Sequence, residues 1–114
     1  MTLKEMHAFE EKLLSRGYKR WNYALYGTED YDVSRLIRDE DGEDKYQIIY
    51  KFWNWTKYPK CPGGINEAAV DVAILPCFDG RADLCFSSFD KQLDVDWVES
   101  VAEKYYNFIM EEMK

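Results

Sequence analysis

The sequence predicts an α+β domain in the order helix, five-stranded antiparallel meander, helix, with both helices packed on one sheet face. Three observations carry that prediction. The two ends of the chain repeat apolar residues at helical spacing, the interior alternates with a period of two, and an Asp-Gly turn joins two of the alternating runs. At 114 residues the chain has the length of one domain, and no linker, repeat or low-complexity tract divides it, so residues 1–114 are read as a single unit.

Thr2-Leu3-Lys4-Glu5 has the form of a capping box, in which the Thr hydroxyl and the Glu carboxylate satisfy amides left over at a helix start. Leu3, Met6, Phe9 or Glu10, Leu13 and Leu14 then follow helical spacing, and Gly17 stands where a left-handed residue would end the helix. From Tyr18 the period drops to two, with Trp21, Tyr23 and Leu25 alternating with Arg20, Asn22 and Ala24. Gly27-Thr28-Glu29-Asp30 interrupts the pattern. Tyr31–Arg38 reads as a second strand whose facing is left open by the adjacent Leu36 and Ile37.

Asp39-Glu40-Asp41-Gly42-Glu43-Asp44 supplies the hairpin turn, and Lys45–Trp55 is the return strand. Both faces of that strand carry large apolar side chains. Tyr46, Ile48, Tyr50 and Phe52 point one way, and Ile49, Trp53 and Trp55 point the other with Gln47 and Lys51 among them. Thr56–Asn66 holds two prolines and two glycines and is a loop. Glu67–Leu75 and Ala82–Phe89 form two more strands around the turn residues of Pro76–Arg81. Asp96 and Glu99 repeat the capping-box spacing, and Val98, Val101, Ala102, Tyr105, Phe108, Ile109 and Met113 give the last helix its stripe.

Under the helices the sequence places Val70, Val72 and Ile74, the Tyr46 to Phe52 set, Leu84 and Phe86. The opposite face then holds Gln47, Ile49, Lys51, Trp53 and Trp55 beside Ala69, Asp71, Ala73, Asp83, Cys85 and Ser87. Small residues next to two tryptophans, a lysine and two carboxylates make a hollow with convergent polar groups, so Trp53, Trp55, Lys51, Asp71 and Asp83 are the candidate binding residues. Asp71 and Asp83 could also pair as carboxylates or hold a cation. Scattered surface aromatics covered by the following loop, or a homodimer contact, would use the same residues.

Composition narrows the classes of function. The chain is 46% hydrophobic, 32% charged and 17% aromatic, which marks a globular protein. Its net charge of -7 opposes general binding to a phosphate backbone, so nucleic acid is a disfavoured partner even though Trp53, Trp55 and Tyr58 lie near Lys57 and Lys60. Charge is unevenly placed: Gly27–Asp44 carries eight acids against two bases, and Lys45–Asn66 carries four lysines and no acid. The acidic hairpin residues Asp39, Glu40, Asp41, Glu43 and Asp44 are thus a second candidate surface, one that would grip a basic partner or else be a solvated turn that discourages edge pairing.

No signal peptide or membrane-spanning run is legible, so no membrane partner is expected. Cys61, Cys77 and Cys85 are odd in number and lack framework spacing, which suits reduced thiols in a cytoplasm, with a Cys77–Cys85 hairpin disulfide as the alternative. His7 is the only histidine and sits at the boundary of a helix stripe. Gly63-Gly64 lacks the lysine and serine or threonine of a phosphate loop, and no Cys-x-x-Cys or nucleophile-elbow pattern occurs. No cofactor or metal is implied. These residues point to a cytoplasmic, non-enzymatic protein-interaction module of the adaptor, inhibitor or immunity kind, binding a protein partner or itself through the aromatic face or the acidic hairpin. The alternative is a small-molecule-binding or enzymatic domain with its pocket between the open face and the 56–66 loop.

Overall fold

The computed structural model describes residues 2–22, 31–54, 68–78, 80–87 and 93–113; Trp55, the 56–66 loop and Cys61 lie outside them. Within that range the chain forms α1 (Leu3–Ser15), β1 (Lys19–Asn22), β2 (Tyr31–Arg38), β3 (Asp44–Asn54), β4 (Ala68–Pro76), β5 (Leu84–Ser87) and α2 (Val95–Glu112). The strands pair antiparallel in the order β1-β2-β3-β4-β5, and the helices pack on one face, α2 over β3 and α1 over β4 and β2. No described helix is long and apolar enough to cross a membrane.

α1 begins and ends as its sequence dictates. The Glu5 amide donates to Thr2 Oγ1 at 3.1 Å while the Thr2 amide donates to Glu5 Oε1 at 3.3 Å, closing the capping box. At the other end Gly17 takes φ 86°, so its amide reaches the Leu14 carbonyl and the Tyr18 amide reaches that of Leu13. That pair of bonds is the Schellman arrangement, and a residue with a side chain would be strained at Gly17.

α2 departs from expectation at its start. It begins at Val95 with Asp94 as its cap residue, and Asp94 makes no side-chain cap bond. Asp96 instead accepts from the Arg16 guanidinium and Glu99 Oε1 accepts from the Tyr18 hydroxyl at 3.0 Å, so both acids dock the helix on its neighbours. Its buried line is Val95, Val98, Ala102 and Ile109, with Val101, Tyr105 and Tyr106 partly covered. Phe108 and Met113, expected in the stripe, are exposed, because Tyr106 and not Phe108 turns to the sheet, where it meets Tyr46 and Phe78.

The core lies between the helices and the sheet face formed by Val33, Tyr46, Ile48, Tyr50, Phe52, Val70, Val72 and Ile74, all buried. Phe9 and Tyr18 lie edge-on to Tyr50, and Tyr31 stacks on Phe52 at 5.0 Å between ring centres. Glu10, and not only Phe9, turns inward. Arg20 lies 3.5 Å from its Oε2 and 3.7 Å above the Tyr31 ring, so the buried carboxylate has a cation beside it.

Candidate functional site

The register assigns every described strand residue to a face. Opposite the helices, the central row across the sheet is Trp21, Asp32, Lys51, Asp71 and Ser87, each facing the next on the neighbouring strand. One row along β3, Trp53 faces Ala69; in the other direction Ser34, Ile49, Ala73 and Cys85 align, and then Leu36, Gln47 and Leu75. The alternation in β3 and β4 thus falls as the sequence predicts. No described helix or strand packs on this second face.

Trp53, Lys51 and Asp71 come together. Asp71 is the diagonal neighbour of Trp53 across the β3–β4 ladder, and Trp53 Nε1 donates to Asp71 Oδ2 at 3.0 Å. Ala69, directly opposite Trp53, is fully buried. Lys51 is exposed between Asp32 and Asp71, and among the described residues it makes no ion pair with either.

Asp83 is not part of this group. It precedes β5 and is exposed, and since Asp71 faces Ser87 while Ile74 faces Leu84, Asp83 lies beyond the end of that ladder. Four residues of strand, roughly 13 Å, separate its level from that of Asp71. The paired-carboxylate reading therefore fails on register, and Asp71 is already engaged by an indole. The same offset separates Cys77, beyond the end of β4, from Cys85 opposite Ala73, and both thiols are free. Burial first, then the charge of Asp44, raises the pKa of the Cys77 thiol.

The acidic hairpin is a built turn. Asp39 Oδ1 accepts from the Asp41 and Glu43 amides at 2.9 Å each, Gly42 takes φ 82°, and its amide reaches the Asp39 carbonyl. Asp44 Oδ1 accepts from Arg38 Nε at 3.0 Å. Two of the five acids thus hold the loop, and Glu40, Asp41 and Glu43 present their side chains to solvent.

Just after the turn the pairing shifts by one residue, since Arg38 faces Asp44 but Ile37 faces Tyr46. Lys45 is the extra residue of this bulge. It reaches α2, where its Nζ donates to Glu103 Oε1 and Oε2 at 2.8 and 3.0 Å and lies 4.5 Å from the Tyr106 ring centre. The Tyr46 hydroxyl donates to the same carboxylate at 2.8 Å. Burial acts to raise the Glu103 pKa, but the bonds from Lys45 and Tyr46 and the lysine charge outweigh it and hold the pKa low.

The β1–β2 side of the second face is where the sequence is least explicit. Trp21 is 63% exposed, and Leu36 lies on the open side while Ile37 packs on the core. β1 begins at Lys19 opposite Ser34, whereas β2 runs on to Arg38, so beyond Ser34 the outer edge of β2 has no neighbour. An open cleft of about 320 Å³ occupies that notch. Counting strand parity back from the Asp-Gly turn would have been the signal for Leu36, had the bulge at Lys45 not shifted the count. Compared with known protein families, curated proteins and solved structures, the chain matches none.

Proposed function

We propose that this chain is a small, acidic, non-enzymatic interaction protein of the cytoplasm that binds protein through the second face of its sheet, and that the partner is a second copy of itself. The central row of that face supports the reading. Lys51 stands between two carboxylates, exposed and without an ion pair, so the row has the sign pattern minus, plus, minus. Two such rows laid against each other about a two-fold axis are self-complementary, each lysine meeting a carboxylate of the other copy. Exposed Trp21 and the part-exposed Ile49 and Leu75 supply apolar area around it, the mixture that marks interfaces. Free thiols at Cys77 and Cys85 fit a reducing compartment. Glu40, Asp41 and Glu43, left over by the turn, would steer the approach of a basic surface.

Sedimentation equilibrium from micromolar to millimolar protein tests this. The mass is expected to climb from 13.6 kDa toward twice that value, and Lys51→Glu, which sets three acids in a row against three, is expected to keep it at the lower figure. A mass that never rises, or a Lys51→Glu variant that associates like the parent, overturns the proposal.

A further inference from the structure

The notch at the β1–β2 edge carries charge that the rest of the molecule leaves unused. In a chain of net charge -7, its lining brings together Lys19, Arg35 and Arg38. Arg38 is neutralised by Asp44 at 3.0 Å. Lys19 and Arg35 have no carboxylate within ion-pair distance, although 22 acids are available to the chain. Two uncompensated cations at one cleft amount to a site for a dianion.

The remaining lining specifies more than charge. Trp21 offers an exposed indole face on one wall, and Ser34 and Gln47 bring a hydroxyl and an amide toward the floor. The volume of about 320 Å³ is at the lower end of the range for small-ligand pockets, enough for one ring system and one anionic group. The geometry points to a binding site for a small aromatic phosphate monoester, of the size and form of a nucleoside monophosphate. A phosphate monoester carries close to two negative charges at neutral pH and so matches Lys19 and Arg35 together, whereas a carboxylate would leave one cation unmatched. Its ring stacks on Trp21. The overall charge repels longer polyanions, so the ligand is a free molecule and not a nucleic-acid strand. The cleft lies at the sheet edge, away from Lys51, and the inference does not depend on what the central row binds.

Adenosine 5′-monophosphate is the probe, followed by the Trp21 indole N–H resonance in two-dimensional NMR, which is assigned by its disappearance in Trp21→Phe. Saturable shifts of that signal are expected, with adenosine and inorganic phosphate each binding more weakly than the whole molecule. Lys19→Ala and Arg35→Ala should each weaken binding roughly tenfold, the effect of losing one charge-assisted hydrogen bond. Trp21→Ala, followed by calorimetry, should weaken it about fivefold or more through lost stacking. Lys51→Glu should leave the affinity unchanged, which separates failure here from failure of the self-association reading. The proposal is overturned by an unperturbed Trp21 signal at millimolar nucleotide, by Lys19→Ala and Arg35→Ala variants that are folded by circular dichroism yet bind as the parent does, or by tighter binding of a 5′-phosphorylated trinucleotide.

Discussion

The two faces of this sheet are cut from the same five strands, and β3 shows most directly how differently they are used. Ile48, Tyr50 and Phe52 are 1%, 0% and 1% exposed beneath the helices, while their immediate neighbours Ile49 and Trp53 are only partly covered and Lys51 is exposed. On the covered face polar atoms act as docking points: Tyr18 to Glu99, and Lys45 and Tyr46 to Glu103. On the other face the cations Lys51 and Lys19 make no ion pair inside the chain, and one face is therefore spent on stability while the second remains available for recognition.

The largest break in that contrast is expected at alkaline pH. Burial first, with neighbouring carboxylates adding to it, raises the pKa of Tyr18, Tyr31, Tyr46 and Tyr50 above the ordinary 10.0. A phenol with a raised folded-state pKa holds its proton longer than in the unfolded chain. Its stabilisation is therefore whole below pH 10 and is lost as pH climbs toward the folded value. The fold is expected to fail cooperatively above that pH, with four of the nine phenols ionising only as the far-ultraviolet circular dichroism collapses. Phenolate absorbance that completes near pH 10 with the dichroism intact would show that the covered face is open to hydroxide.

Next in size is a matched truncation. Phe52→Ala should cost about 3–5 kcal/mol in urea denaturation, because a buried ring is replaced by a cavity. Trp21→Ala, removing a larger side chain from the other face, should change stability by no more than about 0.5 kcal/mol. Equal losses would mean that the second face is also core.

A smaller effect is expected where the bulge meets α2. Lys45→Met removes the ammonium from Glu103 and should cost about 1–2 kcal/mol at neutral pH, the carboxylate being partly screened by solvent. Because the Glu103 pKa is held below 4.5, the stability it provides is present above that pH and is lost as pH falls through the folded value. The parent and the variant should therefore converge in acid, and a gap that persists after Glu103 is protonated would assign the effect to packing of the lysine stem. Trp53→Phe is the mildest change. It deletes the indole donor to Asp71 and is expected to cost about 0.5–1.5 kcal/mol in the same denaturation measurement. A larger loss would place Trp53 with the core.

Much of the contrast was legible in the residues. The capping box at Thr2 and Glu5, the stop at Gly17, the turn at Gly42 and the period-two pattern of β3 and β4 are local codes, and each formed as written. Of the candidate site, Trp53, Lys51 and Asp71 fell on one face because alternation fixes facing. Asp83 did not join them, because β5 starts only at Leu84 and the register between two strands is set by the whole ladder. The start of α2 was misplaced for a related reason: Asp96 can cap a helix or pair with Arg16, and only the approach of α1 decides between them.

By itself, then, the sequence determined which segments are helix and strand, which β3 and β4 residues share a face, and that the chain is acidic, since these depend on neighbours a few positions apart. Tertiary structure alone decided the rest. A single inserted residue, Lys45, shifts the β2–β3 register and aims an ammonium at α2, and the early end of β1 pairing at Lys19 leaves a notch where Arg35 and Trp21 meet. Such features arise where one element runs out against another, and no local pattern of side chains encodes where that happens.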